Sequence, residues 1–149
     1  MIWNRLFAKK KEEVPKASRM EGRRGDGCRG ERIACDYLVR EGYTVTERNV
    51  FTPYGELDII AQDERHILFI EVKQRNDTAA QSRYGRPALA VNAAKRKHII
   101  ASAQFYLHEH RLPLQPRFDV IEILTSPACD GFMQAKITHI KNAFGVDGT

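Results

Sequence analysis

Apolar and polar positions change their period several times along the chain, and each change marks an element. From Cys28 to Glu41, the residues Ile33, Ala34, Tyr37 and Leu38 recur at helical spacing, and Gly42 follows where a C-terminal cap belongs. "YTVTERNV" then alternates with β-branched residues and predicts a strand over about residues 43–50, which "FTPYG" breaks. Two largely apolar runs, Leu57 to Ala61 and Ile67 to Val72, predict a hairpin whose turn is Gln62 to Arg65. Polar "NDTAAQSRYGRP" is a loop of unusual length, the kind tied to function more often than to packing. Asn92 can cap a second helix over about Ala93 to His110, which Pro113 ends. "RFDVIEIL" and "KITHIKNAF" supply two more strands. The order α-β-β-β-α-β-β predicts an α/β fold, a mixed central sheet of about five strands flanked by helices.

Three charges interrupt this pattern where oil belongs: Asp58 in the first hairpin strand, Glu71 and Lys73 in the second. Side chains alternate faces along a strand, so Phe69, Glu71 and Lys73 share one face. If the turn closes symmetrically, Ala61 pairs with His66 and Asp58 stands opposite Phe69, diagonal to Glu71. A diagonal separation on the order of 7 Å lets two carboxylates reach one ion between them. Flanking apolar runs imply burial, and isolated carboxylates there face a desolvation penalty of several kcal/mol that something must offset. A divalent cation does so, and two carboxylates with water suit magnesium. Each residue also has a plainer reading. Asp58 can cap the turn, Glu71 and Lys73 can form a solvent-facing ion pair, and Glu31, at the N-terminal end of the first helix's buried stripe, can be an ordinary first-turn acid.

Composition narrows the class. The chain has 149 residues, 42% apolar and 29% charged, which fits one globular domain, and no segment approaches the roughly 20 apolar residues of a membrane span. Cys28, Cys35 and Cys129 are odd in number and lack C-x-x-C spacing, and the N-terminus has the reverse of a secretory signal's order, so a cytoplasmic protein with reduced thiols is expected. The formal charge of +5 is uneven. Residues 1–24 carry eight Lys and Arg against three Glu, which accounts for all of it, and read as a basic, disordered tail ahead of a domain over 25–149. Within the balanced remainder, residues 73–97 hold seven Lys and Arg against Asp77 alone.

That local cluster, Lys73, Arg75, Arg83, Arg86, Lys95, Arg96 and Lys97, follows the interrupted hairpin directly and reads either as a phosphate-binding surface or as a solvated face. Tyr84 reads as a packing residue before a base-stacking one. Asp119 reads as a structural ion-pair partner, with Arg117 or a helix cation, rather than a further metal ligand. His108 and His110 end a helix, and no H-E-x-x-H spacing makes them a zinc site.

Taken in order, Glu31 on a helix, Asp58, then Glu71-Val72-Lys73 as E-x-K on the next strand resemble the PD-(D/E)xK nuclease superfamily. The blocks "GELDIIAQDE", "LFIEVKQR", "YGRPALAVNAAKRKHIIASAQFYL", "RFDVIEI" and "ITHIKNAF" resemble the small bacterial YraN-like family, related to the archaeal Holliday-junction resolvases. The resemblance covers about residues 27–144. It implies a restriction-endonuclease-like core in which Asp58, Glu71 and the Val72 carbonyl hold Mg²⁺ or Mn²⁺, Lys73 positions the attacking water, and Glu31 assists a metal-bound water or a second ion. Arg75, Arg83, Arg86, Lys95, Arg96 and Lys97 would hold flanking phosphates. The activity implied is a metal-dependent DNA endonuclease acting on branched or structured DNA, and the resolvase analogy offers a homodimer with no membrane partner. Leu57 stands where the superfamily's name has proline, which leaves the ligand intact. Glu56 is an additional same-face acid if the strand is regular there. The rival expectations are a non-catalytic nucleic-acid-binding protein that keeps the nuclease fold, and a metal-dependent enzyme on a smaller phosphate ester.

Overall fold

A computed structural model describes residues 23–76 and 91–147. The expectations for residues 1–22, and for Arg83, Tyr84 and Arg86 in the 77–90 stretch, lie outside the described residues. Helix α1 spans Arg23–Arg40, beginning two residues inside the stretch assigned to the tail. It ends as its glycine predicts: Gly42 takes a positive φ of 92°, its N–H donates to the Val39 carbonyl, and the Tyr43 N–H reaches back to that of Leu38. Strands β1 (Thr44–Thr52), β2 (Gly55–Gln62) and β3 (His66–Asn76) follow. Helix α2 (Ala93–His110) precedes β4 (Gln115–Pro127) and β5 (Met133–Phe144). Asn92 caps α2 as expected, its side-chain oxygen accepting the Lys95 N–H at 2.8 Å.

The strands form one five-stranded sheet in the order β1-β2-β3-β4-β5. Neighbours run antiparallel except β3 and β4, which are parallel. A parallel pair needs a crossover, and the chain between β3 and β4 contains α2. The α/β class, the mixed sheet and the element order are those the hydrophobic pattern predicts.

Two cores cover the sheet. On one face Ile60, Ile67, Phe69, Phe118 and Val120 pack against Ile99, Ile100, Ala103 and Tyr106 of α2. On the other, Ile59, Ala61, Leu68, Ile70, Ile121 and Ile123 pack against Ala34 and Leu38 of α1. Each fully buried Leu, Ile or Phe contributes roughly 1.5–3 kcal/mol. Because β3 and β4 carry apolar residues to both faces, they form the covered centre of the sheet, while β1 and β5 are its edges.

The hairpin register differs from the symmetric one by two residues. Ala61 pairs with Leu68, not His66, and the ladder runs through Ile60↔Phe69 to Ile59↔Ile70. The turn is tighter than a loop over Gln62 to Arg65. The Asp63 N–H donates to the His66 carbonyl at 3.0 Å, and the Asp63 carboxylate accepts the N–H groups of Arg65 and His66. Closing the loop on Glu64 and Arg65 moves every later rung by two. A slip of two keeps side chains on their faces, whereas a slip of one would have reversed them. One step beyond the last rung, Asp58 thus stands level with Glu71 rather than diagonal to it.

Candidate functional site

Beyond Ile59↔Ile70 the strands β2 and β3 stop pairing, while β3 stays bonded to β4 through Asn76. The site lies in that fork. Leu57 packs in the α2-side core and Ile59 in the α1-side core, although residues two apart on a regular strand face the same way. The strand therefore rotates at Asp58. On its other side, β1 places Asn49 between the rungs Arg48↔Ile59 and Val50↔Leu57, and Asn49 takes a left-handed φ of 51°, a conformation asparagine tolerates better than most residues. The kink and the rotation together turn Asp58 into the fork. Its Oδ2 accepts the Val72 N–H at 2.9 Å, a donor that would otherwise have continued the ladder. The strand is thus irregular beside Glu56, and Glu56 does not line the cavity described next.

Glu31, Asp58, Glu71, Val72, Gln74, Arg75 and Asn76 line an open cavity of about 390 Å³. Helix α1 reaches it because Gly30 lies directly on β3. A β-carbon at residue 30 would stand 2.5 Å from Gln74 Oε1 and 3.2 Å from Gln74 Cβ, so a side chain there would make Gln74 move. The next residue, Glu31, then reaches the cavity rim, where the Asn49 side-chain amide donates to its Oε2 at 3.0 Å. Asn49 thus serves two of the acids, opposite one along the sheet and bonded to the other.

Electrostatics in the cavity are unbalanced. Burial, and after it the negative charge of Glu71, push the Asp58 carboxyl up to about 7, against the opposing Val72 N–H and Lys95 charge. Glu71 is buried, and its Oε1 receives two ammonium groups, Lys73 Nζ at 3.2 Å and Lys95 Nζ at 3.5 Å. Lys73 comes from the same strand, two residues on. Lys95 comes from the first turn of α2, where a cation opposes the helix dipole and gains from an acidic neighbour.

Of the residues singled out from sequence, the structure brings Glu31, Asp58, Glu71, Val72 and Arg75 to one cavity and sets Lys73 and Lys95 on Glu71. It does not keep Lys95, Arg96 and Lys97 as one surface. Consecutive helical residues point about 100° apart, and here Lys95 turns inward, Arg96 buries its Nε and Lys97 is exposed. Among the described residues no three His, Cys, Asp or Glu side chains gather closely enough to hold a metal ion by themselves.

Sequence reasoning missed Gly30, Asn49, Gln74, Asn76 and the partner of Lys95. Gln74 could have been found from its place beside the E-x-K stretch. Asn49 carried no signal, because its importance comes from a rung partner nine residues away. Asp119 is the structural ion-pair partner expected: Arg117 binds both its oxygens, at 2.9 and 2.7 Å. His139 Nε2 lies 2.7 Å from Oδ2, and the Asn142 N–H donates to Oδ1.

Comparison with known proteins gives the chain a family. The family model described as "Uncharacterised protein family UPF0102" matches residues 30–123, from Gly30 through the end of the β4 core. A UPF0102 protein of Syntrophotalea carbinolica is 45% identical over 120 residues, covering 80% of this chain and 90% of that protein. One from Thermodesulfovibrio yellowstonii is 40% identical over 118 residues, covering 79% and 94%. Another, from Pelobacter propionicus, is 41% identical over 137 residues, covering 90% and 92%. No helix among the described residues is long and apolar enough to cross a membrane.

Proposed function

This chain belongs to the UPF0102 family, and from the way it holds its buried acids we propose that it is a metal-dependent endonuclease hydrolysing phosphodiester bonds in DNA. One observation carries the reading: a strand rotation turns Asp58 into the fork beside Glu71, where burial first and the Glu71 charge second raise its carboxyl to about 7. A protein that only bound a polyanion would gain nothing from buried acids that repel phosphate.

The residues present fit a divalent cation. Two carboxylates in a fork, one under-compensated and the other already drawing two ammonium groups, make a place that attracts positive charge. Asp58, Glu71 and the Val72 carbonyl would hold Mg²⁺ or Mn²⁺, since hard oxygen donors suit such ions. Bound there, the ion would supply the Lewis-acid charge that activates water and neutralises a phosphate.

The chain's own groups do the remaining work. Lys73, anchored on Glu71, orients the attacking water and presents a donor where charge develops on the phosphate. Glu31, fixed by Asn49, accepts a hydrogen bond from water at the cavity rim. Arg75 in the cavity wall and Lys97 on the exposed side of α2 bind flanking phosphates, which gives affinity without sequence choice. Arg96, partly buried, and Arg83 and Arg86, outside the described residues, join that group on the sequence reading. A branched or structured DNA, cut by a homodimer with two sites, follows from the resolvase resemblance as analogy.

The test incubates the purified protein with linear, nicked, flapped and four-way DNA, with and without Mg²⁺ or Mn²⁺, beside the Glu71→Gln and Asp58→Asn variants. Cation-dependent cleavage by the wild type alone is the expected result. Cleavage that persists in both variants removes this site from the reaction, and tight binding without cleavage under any condition points to the non-catalytic nucleic-acid-binding alternative.

A further inference from the structure

Glu122 on β4 is a buried carboxylate, 5% exposed, whose Oε1 has no hydrogen-bond partner among the described residues. An unpaired acid oxygen shut away from water is costly, and such a group in a folded protein calls for a reason. Its place in the sheet supplies one. In the parallel ladder Glu122 is the rung partner of Lys73, and Glu71 is the rung partner of Val120. Adjacent rung partners share a face, and Glu122 shares its own with Val120 and Phe118 in the α2-side core, as Lys73 shares its own with Glu71 and Phe69. Lys73 therefore stands between two acids: Glu71, whose Oε1 it contacts at 3.2 Å and shares with Lys95, and Glu122, whose Oε1 is unpartnered.

We propose that Glu122 is a positioning residue for Lys73, the second carboxylate that receives its ammonium whenever Glu71 is engaged by another cation. This rests on the cation-binding reading of Asp58 and Glu71. A divalent ion and an ammonium group compete for the Glu71 carboxylate, so without a second acceptor Lys73 would have to leave into solvent or resist the ion. With Glu122 on the neighbouring strand, the ammonium turns from Glu71 to its own rung partner and stays charged beside the site.

The test is a double-mutant cycle on ion affinity, read by isothermal titration with Mn²⁺ and with Mg²⁺. It compares the wild type, Glu122→Gln, Lys73→Met and the double variant. Coupling between contacting residues of this kind is typically worth a factor of about ten. Glu122→Gln is expected to weaken ion binding about tenfold when Lys73 is present and to change it less than about twofold when residue 73 is Met. Equal weakening in both backgrounds would make Glu122 a plain remote charge, and no weakening in either would leave it without a part; both outcomes overturn the proposal. An ion that binds wild type but not Glu71→Gln upholds the reading beneath it whichever way the cycle falls, whereas no binding to wild type removes both. A crystal structure of the wild type with Mn²⁺ gives a check that needs no variant at residue 122. Lys73 Nζ within 4 Å of Glu122 is expected, and Lys73 still held by Glu71 alone overturns the inference.

Discussion

Two aspartates, the half-buried Asp58 and the fully buried Asp119, are set beside similar asparagines in the sheet and end in opposite electrostatic states. Each lies on a covered strand beside an edge strand that carries an asparagine in the left-handed region, Asn49 on β1 and Asn142 on β5. The β4–β5 register shifts beside Asp119, whereas the β1–β2 register is kept on either side of Asn49. At Asp119 the kink turns a backbone N–H onto the carboxylate, and Arg117 and His139 complete the shell. Burial pushes that carboxyl upward, but the hydrogen bonds from His139, Arg117 and Asn142 outweigh it and hold the group below its ordinary 3.8. At Asp58 the asparagine side chain goes to Glu31 instead, Asp58 keeps one backbone donor, and burial, with the charge of Glu71 added to it, raises the carboxyl to about 7. Burial alone does not mark a site. An acid whose partners are complete holds the fold together, and one left short of partners beside a cavity is a candidate site.

That contrast can be broken by mutation. Asp119→Ala should destabilise the fold by about 3–5 kcal/mol, because it strands the Arg117 charge and the His139 nitrogen in the interior. Urea denaturation followed by circular dichroism measures it, and a loss under 1 kcal/mol would return Asp119 to the rank of an ordinary polar residue. Glu71→Gln should instead leave the fold intact and reduce cation-dependent cleavage by about 100- to 1,000-fold, the usual scale for removing one group that stabilises developing charge. Single-turnover assays on the preferred DNA read this directly, with the urea midpoint as the control.

The two aspartates should also answer pH with opposite signs. Asp58 has a folded pKa above its unfolded value near 3.8, so its protonated form favours the fold. That contribution is complete below pH 4 and is lost as pH rises through about 7. Asp58→Asn should therefore be more stable than wild type at pH 8, by on the order of 4 kcal/mol at most, with the gap closing below pH 4. Asp119 has a lowered folded pKa, so its contribution is present above 3.8 and fades as pH falls through the folded value. Asp119→Asn should trail wild type at neutral pH and converge with it in acid. Denaturation midpoints from pH 3 to 8 test both, and parallel profiles for the two variants would erase the distinction.

The smallest effect is expected at the exposed rim. Lys97→Met should weaken DNA binding only a few-fold and lower the slope of log affinity against log salt by about 0.9 if one phosphate contact is lost. Fluorescence anisotropy at several salt concentrations gives the slope, and an unchanged slope makes Lys97 part of a solvated face.

Much of this was legible in the chain. Helical spacing of Ile33, Ala34, Tyr37 and Leu38, the asparagine cap of α2 and the apolar runs of β2 to β4 are local signals, and the elements formed where those signals lie. The E-x-K pair was legible too, because alternation along one strand puts Glu71 and Lys73 on the same side. The hairpin register was not, since a two-residue difference in the turn leaves the period unchanged and depends on Asp63 closing the loop with its own carboxylate.

By itself, then, the sequence determined which segments are helix and strand, which positions are covered, and that three charges interrupt the covered ones. Tertiary structure alone decided that Asp58 stands level with Glu71, that Lys95 crosses from α2 to meet it, and that Glu122 Oε1 has no hydrogen-bond partner among the described residues. The reason is the range of the forces involved. Periodicity and capping act over a few neighbouring residues, whereas the charge balance of a buried carboxylate is set by groups brought from distant segments, whose positions exist only once the sheet has closed around them.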